Sequence, residues 1–273
     1  MMASNQVALV TGASAGMGKD FAKALLSEGL TVYTVARRID KMADLEKLGA
    51  IPLKMDITQE NEVKAVIETI AQQHGGVDIL VNNAGFGMYG AMEDTTIDDA
   101  RYQFEVNMFG LARLTQLVLP YMREKRAGKI INITSIGGKI YSPLGSWYHA
   151  TKHALEGWSD CLRVELKQFD IDVVIIEPGG IRTEFSDVLL QPLLDRSGSG
   201  VYSQMTHQLA NKLKELNSQL SKPEVITRLV LKAVRAKKPK TRYAAGKFAT
   251  SLLFMRKWFS DRMFDSTIMS MFK

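Results

Sequence analysis

From Val7 to about Glu177, short apolar runs rich in valine and isoleucine alternate with longer stretches of helical periodicity. Runs that are apolar at successive positions, not only at alternate ones, mark strands buried on both faces. The pattern predicts strands at Val7–Val10, Thr31–Val35, Ile51–Met55, Val77–Val81, Ile130–Thr134 and Val173–Ile176, with Arg242–Ala245 as a seventh. Helical spacing predicts helices near Lys19–Ser27, Glu60–Gln73, Asn107–Arg126 and Tyr148–Phe169. Each is long enough to carry the chain back to a parallel neighbour. The fold class is therefore α/β, a doubly wound parallel sheet with helices on both faces.

After Pro178 the regularity fades. Residues 183–222 read as a polar, irregular substrate loop that holds Ser197, Gly198, Ser199 and Gly200 before an amphipathic stretch toward Leu220. Long segments of this kind inside compact domains are usually functional. Pro223 is placed to open a helix that runs to Arg235. Residues 1–245 then form a single domain, and 246–273 a C-terminal amphipathic extension. In that extension Phe248, Leu252, Met255, Phe259 and Met263 fall at near-helical spacing, with Arg256, Lys257 and Arg262 among the polar positions. Packing over the substrate cleft or against a second copy is its expected use, and weak peripheral membrane contact the alternative.

Composition narrows the function classes. A chain of 273 residues with 46% hydrophobic and 23% charged positions can bury a large core and does not read as disordered. The net charge of +6 is spread without a basic block, which argues against a nucleic-acid partner. Cys161, the one cysteine, allows no intramolecular disulfide and no cysteine zinc cage, and is expected to be a buried, inert thiol. No metal site is expected from the four histidines. His149 and His153 are expected to be solvated. The opening MMASNQVALVTG lacks a basic region followed by an apolar one, and no stretch approaches the roughly 18 uninterrupted apolar residues of a membrane span. A cytoplasmic location is expected, membrane-associated only through the C-terminal helix.

Chemistry enters directly after the first strand. Gly12, Ser14, Ala15, Gly16, Met17 and Gly18 form a glycine-rich turn that opens into a helix. Such a turn lets backbone N–H groups and the positive helix end approach a pyrophosphate. A site for NAD usually carries a carboxylate roughly 20 residues further on, bonded to the adenosine ribose. Here Arg37 and Arg38 stand at the end of the second strand. A guanidinium grips a 2′-phosphate that a carboxylate would repel, so the expected cofactor is NADP, with Arg37 as the main contact.

Tyr148 and Lys152 stand at i and i+4, on one face of a helix. A phenol with a reference pKa near 10 becomes a usable acid or base when an adjacent ammonium favours the phenolate. Ser135 ends the strand Ile130–Thr134, at the carboxyl edge where open α/β sheets bind ligands.

Taken together, Thr11-Gly12 with Gly16 and Gly18, Asn82-Asn83-Ala84-Gly85, Ser135, Tyr148 with Lys152, and Pro178-Gly179 resemble the short-chain dehydrogenase/reductase family, over about residues 5–245. The finer pattern is similar to its hydroxysteroid- and retinol-dehydrogenase-like branch. The resemblance implies a Rossmann-type sheet of about seven strands. It implies Tyr148 as general acid in reduction and general base in oxidation, Ser135 on the substrate oxygen, and Lys152 on the nicotinamide ribose and beside Tyr148. Asn107 would hold a water that links Lys152 to solvent. Asp56 and Ile57 would face the adenine; Asn83, Ala84 and Gly85 would build the cofactor groove; Pro178, Gly179, Ile181 and Thr183 would lie by the nicotinamide. Asn82 is expected to be structural, bridging strands. A homodimer or homotetramer is also implied.

Phe86, Met88, Tyr141, Leu144, Trp147, Phe185, Val188 and Leu189 are candidate substrate contacts, mostly large and apolar. Such a lining favours a hydrophobic ketone or aldehyde, or the matching alcohol, as substrate. The expected function is an oxidoreductase passing hydride between NADP(H) and that carbonyl. A cofactor-binding sensor with little turnover is the competing class, disfavoured because a pure binder has no chemical need for Asn107, Ser135, Tyr148 and Lys152 together.

Overall fold

The computed structural model describes residues 6–271; the side chains of residues 185–187, Phe185 among them, lie outside the described residues. In chain order the first half runs β1 (Val7–Thr11), α1 (Gly16–Ser27), β2 (Thr31–Ala36), α2 (Ala43–Glu46), β3 (Ile51–Lys54), α3 (Glu60–His74), β4 (Ile79–Asn82), α4 (Ile97–Phe104) and α5 (Gly110–Lys125). The second half runs β5 (Gly128–Ile133), α6 (Ser146–Leu166), β6 (Ile171–Pro178), α7 (Phe185–Ser197), α8 (Ser203–Asn217), α9 (Glu224–Arg235), β7 (Arg242–Ala245), α10 (Ala249–Trp258) and α11 (Asp261–Ser270).

The strands form one seven-stranded sheet in the order β3-β2-β1-β4-β5-β6-β7, parallel throughout. The chain moves outward from β1 to β3 and then returns to place β4 on the other side of β1. That reversal opens a crevice at the carboxyl ends of β1 and β4. The period-two geometry of the strands sorts their side chains between two cores. Ala8 and Val10 face Phe21, Leu25, Ile226 and Val230 of α1 and α9, while Val7 and Leu9 face Ile67, Ile70, Leu114 and Val118 of α3 and α5. Helices on both faces leave no polar side to β1, which explains its unbroken apolar run. Each fully buried side chain of the size of Phe21 or Leu25 contributes about 1.5–3 kcal/mol.

Three expectations are corrected. Residues 183–222 are not irregular: α7 and α8 fill most of the segment, and Leu189 and Leu193 pack with Leu209, Ala91 and Leu144. Pro192 inside α7 and the Ser/Gly cluster after it hid the first helix, while the amphipathic stretch toward Leu220 is α8. The extension is two helices, because Ser260 breaks the run and caps α11 through the Met263 N–H. Phe259 and Met263, placed on the apolar stripe, are exposed; Leu252 is buried against Ile136 and Ile140 as the stripe predicts, together with Phe264 and Ile268, which it left out. Cys161 is exposed and not a core thiol, since it lies on the outer face of α6. Among the described residues no helix is long and apolar enough to cross a membrane.

Candidate active site

The turn after β1 is held shut by its neighbours. The Thr11 hydroxyl accepts the N–H groups of Asn83 and Ala84, each at 2.9 Å, and the Asn83 carboxamide donates to the Thr11 carbonyl at 2.9 Å. This brings β1 and β4 too close for side chains. Gly12 has φ +67°, and a Cβ there would lie 2.9 Å from Ala84 Cα; one on Gly18 would lie 2.5 Å from Asn83 Nδ2 and from the Gly12 carbonyl oxygen. Gly16 is different, because its nearest neighbour is Thr183 at 3.5 Å, across open space.

That space is a groove of about 490 Å³ lined by Gly12, Ser14, Ala15, Gly16 and Met17, by Arg37 and Arg38, by Asp56 and Ile57, by Asn83, Ala84 and Gly85, and by Thr183. The N-terminus of α1 opens into it without a side-chain cap. The groove's size, the glycine floor and the basic residues at its far end fit an extended dinucleotide. Arg37 donates to the Tyr102 hydroxyl at 3.2 Å; Arg38 reaches Ser14 Oγ at 3.4 Å and lies 4.0 Å from Glu184. Tyr102, Val106 and Glu184 also line the groove and were missed from sequence. Tyr102 sits on α4, a helix the apolar pattern did not show.

Four expected cofactor contacts stand behind the groove. Gly18 is sealed under Asn83, as above. Pro178 ends β6, Gly179 donates to the Ala245 carbonyl at 2.8 Å, and the Ile181 side chain joins the core beneath α9. These four residues stand in the wall, and Thr183 is the member of the set that lines the groove.

At the groove's inner end, Gly85 lies close to Asn107 and Lys152. A Cβ built there would be 3.1 Å from Asn107 Oδ1 and 3.8 Å from Lys152 Nζ. Asn107 sits in a π-helical turn, Glu105–Phe109, between α4 and α5, and not at the start of a regular helix as expected. Its carboxamide accepts the Phe86 N–H at 3.0 Å and donates to the Phe86 carbonyl at 2.9 Å and to Thr151 Oγ1 at 3.1 Å. Turns of this kind re-aim a side chain and recur at functional sites.

Tyr148 and Lys152 project from the first turns of α6, both buried. Lys152 Nζ donates to the Ile133 carbonyl at 3.1 Å, and the Ser135 hydroxyl is hydrogen-bonded to the Tyr148 phenol. Burial pushes the Lys152 ammonium down to about 8, against the attraction of Glu156 one turn on. Burial also raises the Tyr148 phenol, and the Ser135 hydrogen bond offsets part of this. The expected lowering of the phenol by Lys152 is not among the causes of this shift, which desolvation dominates.

A buried polar ladder that sequence reading missed, apart from the strand-bridging Asn82, fixes α6 on the sheet. Asn82 donates to Asn132 at 2.9 Å and to Thr115 at 3.2 Å, and Asn132 donates to Ser159 at 2.8 Å. His149, expected in solvent, is buried and hydrogen-bonded at both ring nitrogens; His153 is exposed.

Of the candidate substrate contacts, Phe86 and Val188 line the groove. Leu144 and Leu189 are core, packed with Leu193 and Leu209. Tyr141 is held by the extension: its hydroxyl donates to Asp265 at 2.8 Å and its ring meets Phe264 edge-on at 5.1 Å. The call on Phe185 falls outside the described side chains.

The parallel sheet with a glycine-floored crevice at its switch point defines a Rossmann-type, dinucleotide-binding class of fold. The short chain dehydrogenase family model matches residues 6–192, and the chain belongs to that family. A 3-ketodihydrosphingosine reductase of Bacteroides thetaiotaomicron is 40% identical over 183 residues, 67% of this chain and 66% of that protein. A short-chain dehydrogenase structure from Streptomyces avermitilis superposes with a TM-score of 0.81 at 34% identity, covering 98% of this chain and 94% of that one. A serine dehydrogenase complexed with NADP+ superposes with a TM-score of 0.77 at 27% identity, over 88% of this chain and 94% of that one.

Proposed function

We propose that this enzyme reduces a hydrophobic ketone or aldehyde with NADPH, and that Ser135, Tyr148 and Lys152 are its catalytic residues. The observation that carries the reading is the hydrogen bond between Ser135 and Tyr148, one helical turn from Lys152, whose Nζ lies 3.8 Å from a Cβ built on Gly85, a residue of the groove that also holds Arg37 and Arg38. NADP(H), when bound, supplies the hydride. Tyr148 Oη gives its proton to the substrate oxygen as negative charge develops there. Ser135 Oγ accepts the Gly137 N–H at 2.9 Å, so its own hydrogen, which meets the Tyr148 phenol here, is the one that turns to the substrate oxygen and holds it in place. The Lys152 ammonium, in the same dry environment, stabilises the phenolate left behind.

Arg37 and Arg38 support NADP over NAD, as does the NADP+ complex of the serine dehydrogenase relative. The apolar residues Phe86 and Val188 at the groove, and a relative named for a keto substrate, support a hydrophobic carbonyl. Residues 246–273 belong, in this reading, to the wall behind the substrate site.

The test is NADPH oxidation with a panel of steroid ketones, retinal, long-chain and aromatic aldehydes, and small polar ketones. Turnover is expected with apolar carbonyls, and Tyr148→Phe should lower kcat by about 10²–10⁴-fold while NADPH still binds. Near wild-type turnover in Tyr148→Phe would refute the mechanism; a preference for small polar ketones would refute the substrate class.

A further inference from the structure

His149 follows the catalytic tyrosine directly, yet its ring points into the protein and is buried. Its two nitrogens have distinct partners. The Ser142 N–H points at Nε2 from 3.1 Å, and a backbone N–H can only donate, so Nε2 carries no hydrogen. Nδ1 must then bear the proton, and it donates to the Gly137 carbonyl at 2.9 Å. The Ser142 hydroxyl also reaches Nε2 at 3.1 Å and is hydrogen-bonded in turn to the Tyr89 hydroxyl. Tyr89 packs its ring 5.6 Å from that of Tyr148.

Gly137 links this group to the reacting atoms. The residue whose carbonyl is held by His149 is the one whose N–H donates to Ser135 Oγ at 2.9 Å, and Ser135 bonds Tyr148. There is no slack at the junction: a Cβ on Gly137 would lie 3.1 Å from His149 Nδ1 and 3.2 Å from Ser135 Oγ.

We propose that neutral His149 is a positioning residue, which clamps Gly137 so that its N–H fixes the Ser135 hydroxyl toward the substrate oxygen, and that protonation of His149 releases the clamp. A second ring hydrogen would set Nε2–H against the Ser142 N–H, donor facing donor. The titratable groups on the elements around the ring are Tyr89, Lys139, Tyr141, Tyr148, Lys152 and His153; Lys139 is engaged by Glu156 at 3.2 Å. Burial holds His149 below its ordinary 6.5, and His153 reinforces this. The proposal rests on the dehydrogenase reading given above, but its first test needs no turnover.

Nitrogen NMR of the wild-type protein, with His149→Asn to assign the signal, reads the tautomer. The expected result is Nδ1–H at pH 7.5 and titration below pH 6.5; an Nε2–H tautomer overturns the proposal. Kinetics then read its consequence. His149→Phe keeps the ring volume and should lower kcat by about 10-fold or more with the KM for NADPH changed by less than about threefold. His149→Asn keeps a donor where Nδ1 stood, so it should retain more kcat than the Phe variant while losing the acid limb of the pH profile. A folded His149→Phe with the kcat and pH profile of the wild type overturns the positioning role. If that variant does not fold, a His149→Asn enzyme that keeps the acid limb overturns it equally. Wild-type protein that turns over no carbonyl would instead refute the dehydrogenase reading, with the tautomer still measurable.

Discussion

The two ends of the groove are built differently. At the cofactor end, backbone meets backbone: Gly12 and Gly18 let the first turn press on Asn83 and Ala84, and Thr11 ties the contact with two hydrogen bonds. Behind the proposed substrate end, side chain meets side chain: Leu189 and Leu193 pack on Leu144, and Phe264 on Tyr141. A backbone contact allows almost no substitution, whereas a side-chain contact can be repacked with other apolar residues. The first architecture suits a ligand that does not vary and the second suits one that does. Substitutions at the cofactor end should therefore act abruptly, and those at the substrate end by degrees.

Gly18→Ala is the most severe test of that contrast. The added methyl would need to share space with Asn83 Nδ2 and the Gly12 carbonyl, both 2.5 Å away, and neither is the free end of a flexible chain. The expected outcome is loss of NADPH binding by about 100-fold or more, measured by fluorescence titration, in protein of lowered Tm. Binding within a few-fold of wild type would show that the turn is less rigid than its contacts imply.

Phe264→Ala probes the other end. Removing a fully buried phenylalanine costs about 3–5 kcal/mol, and the loss falls on the seat of α10 and α11 against Ile136, Ile140 and Tyr141. Thermal unfolding should register it, and the substrate KM should rise while the Kd for NADPH stays within about twofold. An equal loss of both affinities would mean that the two ends are mechanically one.

Legibility from sequence follows the same division. The parallel sheet was readable because strands covered on both faces are apolar at successive positions, as Val7–Val10 is. The glycine turn, Ser135, Tyr148 and Lys152 were readable because their chemistry is tied to residue type at fixed spacing. The helix α7 was not, since Pro192 interrupts it, and α8 was visible only as an amphipathic stretch toward Leu220. Tyr102, on α4, was missed for another reason: its place in the groove depends on tertiary packing between β2 and α4, which leaves no periodic signal. His149 shows the limit most directly, because nothing in the heptapeptide around Tyr148 tells whether that ring faces solvent or Gly137.

Arg37→Ala should give a smaller effect, confined to the cofactor end. The guanidinium donates to the Tyr102 hydroxyl and stands exposed at the groove, so its removal costs the fold little. The ratio of kcat/KM for NADPH over NADH should drop by about 10–100-fold, the size of one charge-assisted contact of roughly 1.4–2.7 kcal/mol. An unchanged ratio would transfer 2′-phosphate recognition to Arg38 or abolish it.

The smallest expected effect lies beneath the catalytic helix, where two carboxyl groups are buried together. Glu156 pairs with Lys139 and Arg242, both at 3.2 Å, and Glu177 lies 3.5 Å from Arg242. Desolvation, with Glu156 adding to it, raises the Glu177 carboxyl from 4.5 to about 7. The native state therefore holds this proton between about pH 4.5 and 7 while the unfolded chain releases it, so the contribution of Glu177 to stability falls as pH rises through that window. Glu177→Gln removes the titration and leaves Arg242 paired with Glu156 and Asp160. The variant should flatten the slope of Tm against pH across the window and gain on the order of 1 kcal/mol relative to wild type at pH 8. A slope identical to wild type would place the ionised form of Glu177 in full balance with Arg242, and the proton on neither carboxyl. The substrate end would then rest on paired charge as firmly as the cofactor end rests on glycine.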